Sequence, residues 1–154
     1  VNLDNLRELV IRPALQYIEL WSQAAENLVL GTALVESNGD YLHQVKGPAL
    51  GLWQMEPATH DDIWDNYLAF HPELSRLVSL LESEASITRG ASELIGNLYY
   101  GAAMCRVHYR RAREPLPEAK DADAMARYWK AHYNTAKGAG RVEKALPRFI
   151  VVCA

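Results

Sequence analysis

Cysteine is scarce in this chain. Two occur in 154 residues: Cys105 inside an apolar helical pattern and Cys153 next to last. They provide no disulfide framework, and both are expected to be free thiols. Metal-ligand spacing is missing too. His43, His60, His71, His108 and His132 are scattered, with no pair at ligand spacing on a helix. His60 and Asp61 read better as a solvated first helical turn than as half of a metal site. No metal or cofactor is expected. No apolar run reaches the ~18 residues that a membrane span requires, so no span is expected. Asp4, Arg7, Glu8 and Arg12 interrupt any apolar block near the start, which excludes a signal-peptide pattern. Work outside a cytoplasm would then need another route, or a leader beyond this sequence. There is no internal repeat, low-complexity tract or linker.

What is present suits one domain, residues 1–154. Hydrophobic residues make up 49% and charged residues 23%, the ordinary balance of a globular chain. The net charge of −3 is unevenly spread. Residues 1–105 carry 5 Lys+Arg and 14 Asp+Glu, a balance of −9; residues 106–154 carry 11 and 5, a balance of +6. A basic end of this kind suits an anionic polymer, nucleic acid or bacterial wall, or is simply a solvated surface. It has no nucleic-acid recognition motif, so no nucleic-acid partner is expected. A monomer is.

Periodicity predicts a mainly α fold with a small irregular extended or hairpin lobe. Leu3, Leu6, Leu9 and Val10 mark a first helix, and Pro13 opens a second. Ser22 is placed to cap a third, carrying Ala25, Leu28, Val29, Thr32, Ala33 and Val35, with Gly39 as its stop. From Tyr41 to Met55 the pattern turns extended, around a Gly47-Pro48 turn. Glu56, before proline, is biased toward extended backbone. A helix resumes near Pro57, where Thr59 and Asp62 are spaced like a capping box, and another follows Pro72. A long buried helix is expected from Thr88 to about Arg113, despite Gly90, Gly96 and Gly101. A helix from Asp121 to Asn134, the loose segment "AKGAG", a short final helix and the apolar tail "FIVVCA" complete the chain.

One stretch calls for chemistry. In "TALVESNGDYLHQVKGPALGLWQMEPAT" an apolar helix ends on Glu36, followed at once by Ser-Asn-Gly. A carboxyl at the edge of a core is desolvated, which raises its pKa. The negative end of the helix dipole acts in the same sense. Such an acid can donate a proton to a leaving oxygen. The alternative is a glutamate fraying into solvent beside a turn.

Further motifs follow in order: "ES" at Glu36–Ser37, Gln54 eighteen positions after the glutamate in "GLWQMEPAT", "NLYYG" at Asn97–Gly101, and "AHYNT" at Ala131–Thr135. The set resembles the soluble lytic transglycosylases and goose-type lysozymes of the lysozyme superfamily. It covers about 100 residues, Glu36 to Asn134. The resemblance implies a lysozyme-like fold whose groove, between helical domain and extended lobe, takes peptidoglycan glycan strands. It implies that Glu36 is the catalytic acid and base. Ser37 would support the site, Gly51 would let glycan approach the backbone, and Gln54 would bind substrate near the scissile bond. Tyr133 would place a hydroxyl close to Glu36, and Asn134 would hold the local backbone. Asn97 and Gly101 would be packing positions in the long helix. A bacterial-wall setting, in the periplasm or on a bacteriophage lysis enzyme, is a further implication.

Several positions depart from the family pattern. Trp53 replaces a methionine and would build a bulkier, stacking wall. Glu56 stands where the residue before proline is usually apolar. Val45, with Lys46 beside it, replaces a substrate-site serine, and Pro48 a glycine. Two mechanisms stay open. A lytic transglycosylase needs the one carboxylate; a hydrolytic muramidase needs a second to position water, and Glu56 and Asp40 are the candidates. A wall-binding module with a degenerate site is the reading from another class.

Overall fold

Pro13 does not divide the N-terminal segment in two. In the computed structural model, which describes residues 1–83, 90–135, 138 and 140–154, the chain is helical throughout this segment. Leu3–Asn5 leads into a π-helical Leu6–Ile11 and then Arg12–Tyr17. Proline has no N–H to donate, and its ring crowds the carbonyl four residues back. A wider turn relieves this: the Arg12 N–H donates to the Arg7 carbonyl, five residues back.

The helix Gln23–Ser37 is the spine of the molecule. Ser22 caps it as expected, its Oγ accepting from the Ala25 N–H at 3.0 Å. Residues 25 to 34 are all buried, so neighbours enclose the helix on every side. Gly31 is required where the Phe149 ring lies against it, because a methyl there would overlap the ring. At the N-terminal end the fully buried Glu26 accepts from Arg7 at 2.9 Å, Arg12 at 2.7 Å, Trp21 at 3.1 Å and Gln23 at 2.9 Å. Arg7 also donates to the Val152 carbonyl, tying the first, central and last helices together. The stop falls one residue before Gly39: Asn38 takes the left-handed conformation at φ 55°, and Gly39 follows at φ 73°.

The expected hairpin is absent. Among the described residues there is no strand, only isolated antiparallel bridges between His43 and Leu50 and between Leu50 and Met55. Left-handed backbone at Lys46, Gly51 and Gln54 reverses the chain too often for a ladder to extend. Cross-links hold this loop instead, from Gln44 N–H to the Ala49 carbonyl and from Gly51 N–H to the Leu42 carbonyl.

Glu56 is extended, and helix Pro57–Asn66 starts with proline in its first turn. The anticipated capping box is not formed, because Thr59 already lies inside that turn. Pro72–Ser79 is helical. The long helix expected from Thr88 begins outside the described residues, and its described part is broken. Gly90–Ser92 and Glu93–Gly96 precede an extended Asn97, and Leu98–Arg110 follows. Asn97 causes the break. Its Oδ1 caps the Tyr100 N–H at 3.0 Å, while its Nδ2 donates to the Leu81 carbonyl at 2.8 Å. Two buried clusters flank Leu98–Arg110. Ala102, Cys105 and Tyr109 face the central and last helices; Tyr100, Ala103, Met104 and Val107 face Ile63, Leu68 and Val78.

Asp121 caps Ala122–Trp129 by accepting from the Ala124 N–H at 3.0 Å, and the chain continues as a π-helical Lys130–Asn134. Residues 136, 137 and 139 of "AKGAG" lie outside the described set. The last segment is not a short helix with a tail. Val142–Cys153 is one helix that buries Ala145, Phe149, Val152 and Cys153. Among the described residues no helix is long and apolar enough to cross a membrane.

Candidate active site

The last turn of the central helix brings Glu36 to a cavity of about 1160 Å³. The side chain is half-buried. Its Oε1 accepts one hydrogen bond, from the Trp129 indole Nε1–H at 2.9 Å. Burial pushes its pKa up to about 7, and the Trp129 bond offsets only part of the rise. Near neutrality the group is therefore divided between acid and carboxylate, the condition a proton donor and acceptor needs.

Gln54, Tyr133, Asn134 and Glu56 line the same cavity. Gln54 holds left-handed backbone at φ 47°, and its Nε2 donates to the Gly51 carbonyl at 2.9 Å. The Tyr133 hydroxyl donates to the Trp53 carbonyl at 2.5 Å, and the donor to Glu36 is Trp129. Tyr133 stacks on Tyr109, with ring centroids 5.2 Å apart. The Asn134 Oδ1 accepts from Lys130 Nζ at 2.7 Å, and Lys130 also donates to the Gly138 carbonyl. That clamp shapes the backbone after the π turn.

Ser37, Gly51 and Trp53 do not line the cavity. Ser37 is buried, and its Oγ donates to the Leu52 carbonyl at 2.7 Å, joining the helix end to the loop. Gly51 is buried at φ 77°. A Cβ there would overlap the Leu94 carbonyl, so protein backbone, not glycan, makes the close approach. Trp53 builds no stacking wall. Only 2% exposed, it donates its indole N–H to the Val29 carbonyl at 2.9 Å and packs against Gly101. The two candidate second acids also separate. Asp40 is exposed, accepts from Asn38 Nδ2 at 3.0 Å and is not on the cavity; Glu56 is on it.

Other cavity residues escaped the sequence reading. Trp129 is the main one; standing four before Tyr133 on one helical face was its only signal. Asp62 pairs with Arg111 at 2.9 Å, across a separation that no local pattern reveals. Bonds from Asn66 and then Arg111 hold its pKa down. Arg111 Nη2 also donates to His108 Nδ1 at 2.7 Å. Burial, and then the Arg111 charge, lower the His108 pKa to about 3, so this imidazole is neutral. Arg141, Lys144 and Arg148 edge the cavity from the last helix. Among the described residues no group of three or more His, Cys, Asp or Glu side chains is placed to hold a metal ion.

The arrangement can donate and recover one proton at Glu36, in a cavity that Gln54 and Tyr133 also line. Comparison with protein-family models, with curated proteins and with solved structures finds no match to this chain.

Proposed function

We propose that the chain is a peptidoglycan-cleaving enzyme with a lysozyme-like fold, cutting the β-1,4 bond between N-acetylmuramic acid and N-acetylglucosamine. The observation that carries this reading is Glu36: one carboxyl, half-buried at a cavity, ionising near 7 and oriented by a single indole donor. The motif resemblance from Glu36 to Asn134 supplies the substrate class.

In the transglycosylase reaction Glu36 gives its proton to the glycosidic oxygen as the bond to C1 breaks. The carboxylate left behind takes the proton of the muramyl C6 hydroxyl, whose oxygen attacks C1 and closes a 1,6-anhydro ring. Atoms and charge balance without water, and the intramolecular attack is entropically favoured. Gln54 and Tyr133, which line the cavity with Glu36, are the candidates for contact with sugar substituents. The second reading is hydrolysis, with Glu56 positioning a water; it is favoured by the presence of Glu56 on the cavity, and Asp40 is the weaker candidate.

Mass spectrometry of digested sacculi tests this reading. Anhydro-ended muropeptides are expected, and products heavier by one water would identify a hydrolase. Retention on sacculi with no soluble fragment would overturn the enzyme reading in favour of a wall-binding module.

A further inference from the structure

The last helix starts with charges that its own dipole opposes. Arg141 is the N-cap residue and makes no side-chain capping bond. Lys144 lies in the first turn and Arg148 about one turn on. A helix N-terminus is partially positive and favours acids, so basic residues there cost stability unless something anionic joins them. All three are exposed, and all three line the cavity that holds Glu36. Spaced i, i+3 and i+7, they share one helical face. Glu143, the acid of that turn, does not line the cavity.

Among the described residues, no side chain is bonded or ion-paired to any of these three cations. Arg111, the fourth cation of the cavity, is neutralised by Asp62. The remaining acids are Glu56 and a Glu36 that is half protonated near neutrality. One wall of the cavity therefore carries a run of uncompensated positive charge about 10 Å long.

We infer that Arg141, Lys144 and Arg148 form a subsite for the carboxylates of the peptide stems borne by the glycan strand. The inference rests on the proposed function. In the intact strand the muramyl lactyl carboxyl is tied up in the amide to the stem, so the sugars themselves offer no negative charge for this wall. The stripe shares a cavity with the cleaving acid, so its anion belongs to a substituent close to the scissile bond. Its length matches about three residues of extended peptide, and guanidinium groups donate paired hydrogen bonds to carboxylates.

The test measures binding in a Glu36→Gln background, so that cleavage does not interfere. Sacculi freed of phosphate polymers are immobilised and divided; an amidase removes the stems from one portion, and the lactyl carboxyls that this cleavage frees are capped as methylamides. Intact sacculi are expected to retain the protein about tenfold better than stripped ones, with the difference fading at high salt. Adding Arg141→Gln, Lys144→Gln and Arg148→Gln should abolish that preference, a loss of about tenfold from three exposed contacts. Undiminished melting of the added variant, which the helix dipole leads one to expect once the three cations are gone, shows that the loss is not unfolding. Equal retention on both portions, or an unchanged preference in the added variant, overturns the subsite. So does retention only by sacculi that keep their phosphate polymers. If the wild-type chain cleaves no wall yet the stem preference and its loss are seen, the reaction fails and the subsite stands.

Discussion

Glu36 carries a pH signature that separates it from a surface glutamate. Its carboxyl ionises near 4.5 in the unfolded chain and near 7 in the fold. Below 4.5 both states hold the proton and the folded state carries no penalty. As the pH rises through 7 the folded protein must keep a charge at a poorly solvated position, and stability falls. Glu36→Gln cannot ionise. The variant should melt at a higher temperature than wild type above pH 7 and at nearly the same temperature at pH 4. Melting curves across that range check this, and parallel curves would place Glu36 in free solvent. Trp129 bears on the same group. Its bond favours the carboxylate, so Trp129→Phe should raise the Glu36 pKa by about one unit. The alkaline limb of the pH–activity profile should then move up by a similar amount, a shift that mere loss of packing would not produce. This residue could not be read as the partner of Glu36 from the chain, because the contact joins positions 36 and 129. Tyr133 was legible as a cavity residue, but its hydroxyl is taken by the Trp53 carbonyl.

Helices were legible where apolar spacing and a cap coincide. Ser22 and Asp121 each cap the helix that follows them. Pro57 and Pro72 each sit in a first turn. Elements failed to be legible where the deciding bond is tertiary. The Asn97 break depends on the distant Leu81 carbonyl as well as on its local cap. The π turn before Pro13 absorbs a proline that sequence rules read as a boundary. The apolar tail hid a helical face, Phe149, Val152 and Cys153, behind exposed Ile150 and Val151. Trp53 was expected at the site because it stands in the motif directly before Gln54; its own N–H is committed to the central helix. At this scale the Glu26 cluster makes a testable claim. Burial alone would raise the Glu26 pKa, but bonds from Arg12, Trp21, Arg7 and Gln23 bring it below its ordinary value. Its stability contribution is present above the unfolded pKa near 4.5 and lost as the pH falls through the folded one. Glu26→Ala strands Arg7 and Arg12 and should cost about 3 kcal/mol. Because both arginines are partly exposed, water limits the loss. Urea denaturation at pH 7 measures it, and a loss below about 1 kcal/mol would show that the cluster is replaceable.

Over the whole molecule, the charge asymmetry acquires a location. The basic C-terminal third supplies Arg111, Arg141, Lys144 and Arg148 to one cavity, while the acidic remainder supplies Glu36, Glu56 and Asp62. The totals were readable in the sequence; that both signs meet around Glu36 was not, since it depends on how the last helix folds back against the first and central ones. The Glu26 and Glu36 effects oppose each other in pH. A fall below about 4.5 removes the first contribution and a rise from about 4.5 through about 7 removes the second, so the stability maximum should lie near the junction of the two windows.

Release of soluble fragments from purified sacculi by wild type and by Glu36→Gln, compared at equal concentration near pH 7, decides whether Glu36 is the acid that cuts the strand. Wild type is expected to release fragments, and Glu36→Gln to lose at least about 100-fold of that release with its melting temperature undiminished. Equal release by the two proteins would contradict that role.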